Sequence, residues 1–210
     1  IVAYAERLFI TVVPEIEMPG HSVAALTSYP ELGCVGSGYE VRTSWGIAED
    51  VLCAGQDGTY EYVEKVLSEV VESLMHQGFT KFFILNGHGG NRLPSRLLEL
   101  QAEGLIRVDW YDWWRESAVK QFESEIGLTL DHANWGENFP FTRVNDLPAE
   151  VLRHPKPRIN LEMLEEGQSM REVAGDGCYG GMYQVSDEVM MQMYLRVVDE
   201  VTARIHALRA

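Results

Sequence analysis

Basic side chains are scarce in this chain. Lysine and arginine number 17 against 32 aspartates and glutamates, a net charge of −15 over 210 residues. This argues against nucleic acid and anionic membrane surfaces as partners, because no basic face is there to neutralise phosphates. Long apolar runs are missing too, since no stretch approaches the roughly 20 residues of a membrane span. The opening IVAYAER lacks the basic start and apolar centre of a signal peptide and reads as mid-helix, so the sequence is expected to be a fragment. Cysteine is sparse: three, with no Cys-x-x-Cys spacing, too few for a disulfide framework. Cys34 and Cys53 flank one loop and are able to pair in an oxidising compartment, leaving Cys178 over; free thiols fit the sequence equally well. The reading favours the cytoplasm over secretion. Internal repeats and low-complexity tracts are absent.

What is present is ordinary globular material. The hydrophobic fraction of 46% and the chain length allow a sizeable core, as one large domain or two small ones. Phe9 to Ile16 reads as a strand, with Val12 and Val13 supplying β-branched character. Pro30 to Gly58 is rich in Gly, Ser and Asp and reads as a long loop, which is usually functional or disordered. Strands and helices then alternate. A helix is expected over 59–77, with Val63, Val66, Leu67, Val70 and Leu74 at helical spacing. A buried strand follows at 80–85, then a helix at 93–103 with Pro94 suited to its first turn. A strand at 105–110 and a helix over 112–126 come next. Ser186 is placed to cap a last helix running to about Ala207, with Asp187 and Glu188 near its positive end. Its expected buried stripe is Val189, Met193, Val197, Val198 and Val201, the methionines filling core space.

Two polar segments carry the candidate chemistry. Asn86-Gly87-His88-Gly89-Gly90-Asn91 follows the apolar run Phe82 to Leu85. Loops at the carboxyl ends of α/β strands are where such sheets place ligands, and small neighbours leave the imidazole accessible. The alternative is a tight strand-to-helix turn whose histidine merely packs. Asp131-His132-Ala133-Asn134-Trp135-Gly136-Glu137-Asn138 brings two carboxylates and an imidazole into one stretch. These are the ligand types of a hydrolytic zinc or manganese site. His132 and Glu137 are five apart and do not share a helical face as an i, i+4 pair does. A cap or a surface salt bridge explains that spacing as readily.

Together the segments "GFTKFFILNGHGGN" and "DHANWGEN" resemble the creatininase family of metal-dependent amidohydrolases. "IRVDWYDWW" and the glycine-rich "GDGCYGGMY" fall where that family has comparable pieces. The resemblance spans roughly residues 73 to 210. It implies His88 and Glu137 as metal ligands and His132 as the residue that handles the proton passed to the leaving nitrogen. It also implies a three-layer α/β/α sandwich with a mostly parallel sheet, a divalent zinc or manganese cofactor and a small-molecule substrate. Multimers are known among related amidohydrolases, so a homo-oligomer is open.

The first third is similar to a different family. "IVAYAERLFITVVPEIEMPGHSVAALTSYPELGC", "WGIAEDVLCAG" and "TYEYVEKVLSEV" look like the family 20 glycoside hydrolases, the β-N-acetylhexosaminidases. There the segment is one βα unit of a (β/α)8 barrel. Glu17 and His21 fall on that motif's acidic and histidine positions, with Glu17 replacing the usual Asp. That family's adjacent Asp-Glu pair is absent after Phe83, which removes the acid and orienting partner of glycoside hydrolysis. The creatininase side lacks its early Glu-Gln-His and Gly-Thr-Asp segments in residues 1–72. The chain therefore reads as a composite, a 1–72 hexosaminidase-like segment joined to a 73–210 amidohydrolase body, with the seam between Tyr62 and Gly78. The leading expectation is a metal-dependent hydrolase of a small amide with an incomplete ligand set. The alternatives are a hexosaminidase-like glycosidase fragment acting through Glu17 and His21, or a catalytically silent scaffold.

Overall fold

The computed structural model describes residues 7, 20–41, 43, 50–53, 56–87, 89–143, 155–160, 162, 172, 173 and 175–209. The expected strand at 9–16, Glu17 and His88 lie outside them. The chain divides into two compact units: residues 1–78 with 90–100, and residues 79–89 with 101–210.

In the first unit, α1 (Val23–Ser28) runs into a 3-10 turn at Pro30–Leu32, and α2 spans Asp57–Met75. Leu26, Leu32 and Leu52 are buried together, with Tyr39 and Tyr62 packed against them. The region read as a long loop is thus tied down at several points. The Cys53 N–H donates to the Leu32 carbonyl at 2.8 Å, and Gly33 pairs with Leu52 in an antiparallel bridge. Cys34 and Cys53 form a disulfide with their Cα atoms 4.9 Å apart. The Thr59 hydroxyl of α2 donates to the Leu32 carbonyl at 3.2 Å. Leucine burial and one covalent link order what polar composition alone presents as loop. On α2, Thr59, Val63 and Val71 are buried, while Val66, Leu67, Val70 and Leu74 are half-buried.

In the second unit, β1 (Lys81–Asn86) and β2 (Arg107–Asp112) run parallel, in register from Lys81 opposite Arg107 to Asn86 opposite Asp112. This is the α/β arrangement with a parallel sheet that the sequence leads one to expect. Between the strands in sequence, the chain passes through 90–100 of the first unit, where α3 (Ser95–Ala102) starts just after Pro94, whose carbonyl accepts from the Leu97 and Leu98 N–H groups. Burial along β1 differs from expectation: Phe82 and Asn86 are buried, but Leu85 is 60% exposed. Among the described residues β1 pairs with β2 alone, and the exposure of Leu85 shows that its apolar run is not covered along its whole length.

The helix expected from residue 112 starts five residues later, as α4 (Ser117–Ile126), because β2 runs on to Asp112. Helix α5 covers Asp187–Arg209, and the Val189 N–H donates to the Ser186 hydroxyl at 3.4 Å, in keeping with a cap. Val119, Phe122, Trp135, Met190 and Met193 form the buried core of this unit. Val189 and Val197 pack against it, whereas Val198 is exposed. The stripe is displaced because α5 continues Met193 and Val197 with two charged side chains that have partners waiting. Glu200 accepts from the Tyr111 hydroxyl at 2.9 Å, the Ala118 N–H at 3.1 Å and the Ser117 hydroxyl. Arg204 pairs with Asp109 at 3.0 Å and Glu116 at 2.8 Å. Glu116, at the N-cap of α4, makes no side-chain cap, so the Glu200 carboxylate of α5 serves the donors there.

Burial works to raise the Glu200 carboxyl, but hydrogen bonds from Ser117, Ala118 and Tyr111 outweigh it and hold the group below its ordinary value. Such a carboxylate contributes stability above its unfolded value, near 4.5, and that contribution drains away as the pH falls through the folded value. Glu200→Ala is expected to cost about 2–3 kcal/mol in urea unfolding at neutral pH. Glu200→Gln should flatten the wild-type decline in stability below about pH 5, and parallel pH profiles for the two proteins would refute the assignment. The disulfide closes a sequence separation of 19, so reducing it should destabilise the first unit by about 3 kcal/mol. An unfolding midpoint indifferent to reductant would show that the bond does not form in solution.

Candidate functional site

The polar segment 129–138 is built around two buried side chains. Trp135 is fully buried in the core, and its indole N–H donates to the Thr129 carbonyl at 3.0 Å. Asn134, 1% exposed, donates to the carbonyls of Thr129 and Gly180 and accepts from the Gly136 N–H at 3.1 Å. The Trp135 N–H also donates to the Met182 carbonyl at 2.8 Å. These bonds lock the segment against the glycine-rich loop 175–183. Gly180 has φ +132°, and a Cβ there would come within 2.6 Å of the Arg158 Cα, so only glycine permits this approach. Residues 155–160 close the site from that side, Lys156 pairing with Gly181 in an antiparallel bridge.

His132 sits exposed on this frame. Its Nδ1 lies 2.9 Å from the Gly177 carbonyl. A carbonyl can only accept, so Nδ1 carries the hydrogen, and in the neutral ring the lone pair is then on Nε2. The ring also meets Tyr179, centroids 4.6 Å apart. The next residue, Ala133, takes φ +53°, a left-handed conformation uncommon outside glycine. Its N–H donates to the Glu137 Oε1 at 2.9 Å. The carboxylate of Glu137 thus caps the backbone one residue beyond His132, the role a plain reading of their spacing allows. Asp131 accepts from the His132 N–H and pairs with Arg158 at 3.3 Å.

Behind the histidine lies a cluster that sequence reasoning missed. Asp176 accepts from the Lys156 ammonium, the Tyr183 hydroxyl at 2.6 Å and the Cys178 N–H at 3.1 Å. The Lys156 and Tyr183 bonds hold the Asp176 carboxyl down at about 2, and the same Asp176 bond pushes the Tyr183 phenol up to about 12. The glycine-rich composition of 175–183 marked the loop, but no periodicity reveals which polar side chains it brings together. Cys178 is a buried free thiol. At the carboxyl ends of the strands, buried Asn86 donates to the Asp112 Oδ1 at 2.7 Å, which also accepts from the Trp110 indole at 2.8 Å. The parallel register sets that carboxylate beside the strand end that leads into the 86–91 segment.

Of the residues singled out from sequence, His132 and Glu137 are brought into one short turn. His88 and Glu17 lie outside the described residues. His21 belongs to the first unit, with φ +52° just before α1. Among the described residues no three His, Cys, Asp or Glu side chains gather as a metal ion requires, so these residues alone do not fit a cation. The first unit has a separate cavity of about 240 Å³ lined by Tyr60, Val63, Glu64, Asn91 and Arg92.

Two family models match this chain. The glycosyl hydrolase family 20 catalytic domain matches residues 1–85, and creatinine amidohydrolase matches residues 59–205. The curated relatives match the first part. A beta-hexosaminidase of Porphyromonas gingivalis is 50% identical over 70 residues, 33% of this chain and 9% of the relative. One from Akkermansia muciniphila is 30% identical over 100 residues, 47% of this chain and 19% of the relative. One from Vibrio furnissii is 39% identical over 71 residues, 33% of this chain and 12% of the relative. The chain thus spans less than a fifth of the length of each of these relatives. Both matches cover 59–85, which holds nearly all of α2 and of β1. A family 20-like head and an amidohydrolase-like body therefore meet in one chain, and across most of its length, residues 59–205, that chain belongs to the creatininase family.

Proposed function

We propose that the body hydrolyses the C–N bond of a small amide, with His132 moving the proton. The observation that carries this reading is the anchored imidazole: Nδ1 held on the Gly177 carbonyl, Nε2 presented outward with its lone pair. An imidazole so held can take a proton from an attacking water and return it to the nitrogen as the C–N bond breaks. The family is generally metal-dependent, and on this reading His88 and Glu137 would be among the residues that hold zinc or manganese, which when bound would polarise the amide carbonyl and activate water. The same reading extends the parallel pair to a three-layer sandwich, and makes a small molecule, not nucleic acid or a membrane, the partner.

A second reading comes from the first unit, whose 50% identity to a beta-hexosaminidase over 70 residues supports sugar contact by the Glu17 and His21 segment. Hydrolysis there has no support, since NGHGGN stands where the Asp-Glu pair would be.

A panel of cyclic and linear amides, assayed with added zinc or manganese, separates these readings. Turnover is expected with at least one of them, lost on chelation, and reduced about 10²- to 10⁴-fold by His132→Ala. Calorimetric zinc binding should disappear in His88→Ala. Cleavage of a chromogenic N-acetylglucosaminide that survives chelation would favour the sugar reading. No turnover, together with unfolding that ignores added metal, would leave a silent scaffold, because a ligand binding only the native state must stabilise it.

A further inference from the structure

We propose that Asp176 is a positioning residue for His132, acting through the peptide unit between Gly177 and Cys178. This rests on the amide-hydrolase reading, in which His132 moves the proton. A trans peptide is planar, with its C=O and N–H pointing in opposite directions. Here the two ends of one such plane are both engaged. The Cys178 N–H donates to the Asp176 Oδ1 at 3.1 Å, and the Gly177 C=O accepts from the His132 Nδ1 at 2.9 Å. Fixing the N–H end therefore aims the carbonyl end at the ring.

The carboxylate is itself held from two other sides. The Lys156 ammonium and the Tyr183 hydroxyl both donate to it, and Lys156 also donates to the Cys178 carbonyl at 2.7 Å. Gly177 takes φ +86°, a left-handed backbone that glycine adopts without a Cβ clash and that the loop needs to present this peptide to the ring. On the far side the Tyr179 N–H donates to the His132 carbonyl at 3.0 Å, so the histidine backbone is fixed while its ring is aimed. The negative charge at the N–H end also polarises the carbonyl, which strengthens its hold on Nδ1–H, as hydrogen bonds in a chain reinforce one another. The outcome is a histidine kept in the tautomer that leaves Nε2 free to accept a proton.

The test reads that tautomer directly. Protein carrying ¹⁵N-labelled histidine is examined above neutral pH for the share of His132 with hydrogen on Nδ1. Asp176→Ala is expected to lower the ratio of Nδ1–H to Nε2–H about fivefold, the equivalent of one ordinary hydrogen bond. Asp176→Asn, which keeps an oxygen for the Cys178 N–H, should fall between, and Tyr183→Phe should shift the ratio less in the same direction. Where amide turnover is measurable, kcat should fall with KM little changed. An unchanged ratio in folded Asp176→Ala overturns the proposal. Should that variant not fold, an unchanged ratio in Tyr183→Phe, which loses a single hydroxyl, does the same. A shifted ratio in a protein with no amide turnover supports the positioning and removes only the hydrolase reading.

Discussion

The buried amide of Asn134 is the interaction on which the candidate site depends. It lies in the interior beside Trp135, where an unpaired polar group is costly, and it bonds at both ends. One end reaches Thr129 and Gly180; the other closes the turn that carries Glu137. A single side chain thereby fixes two stretches far apart in sequence, 129–138 and 175–183, through a bond between residues 46 apart. His132 and Glu137 belong to the first stretch, and the carbonyl and ring that meet His132 belong to the second. The indole of Trp135 adds the apolar half, binding the turn to α4 and α5 through Phe122, Met190 and Met193.

How much of this was legible in the sequence depends on the kind of signal. The parallel strands and the helices after residue 57 followed from apolar spacing and turn residues, with ends displaced by at most five residues. The displacement at α4 has a cause that periodicity does not contain: β2 runs on because Trp110 and Asn86 both bond to Asp112. On α5 the apolar pattern pointed to Val198, but Glu200 and Arg204 claimed the docking face by pairing with Tyr111, Asp109 and Glu116. Charged residues inside a contact are invisible to a hydrophobic count. His132 and Glu137 were readable as residue types. Asn134, Lys156, Asp176 and Tyr183 were not, since their roles come from long-range hydrogen bonds with no local spacing rule.

The composite nature of the chain was legible for a different reason. Each part keeps its own motif chemistry, PEIEMPGH in one and NGHGGN with DHANWGEN in the other. The two family matches share 59–85, where an amphipathic helix precedes a strand. An apolar stripe and a strand of Phe, Ile and Leu meet the packing needs of either family, so local structure there does not choose between them. The chemistry-bearing loops outside that overlap do.

The Cys34–Cys53 bond has a consequence beyond holding two segments together. The backbone from Val35 to Val41 lies between the two sulfurs and is largely exposed, Val35 at 72% and Val41 at 60%. Exposed stretches of this kind are where proteases cut. A nick there severs the polypeptide without releasing either piece, because the sulfur bridge spans the wound. Such a molecule migrates as intact protein until a thiol is added, and only then parts into two.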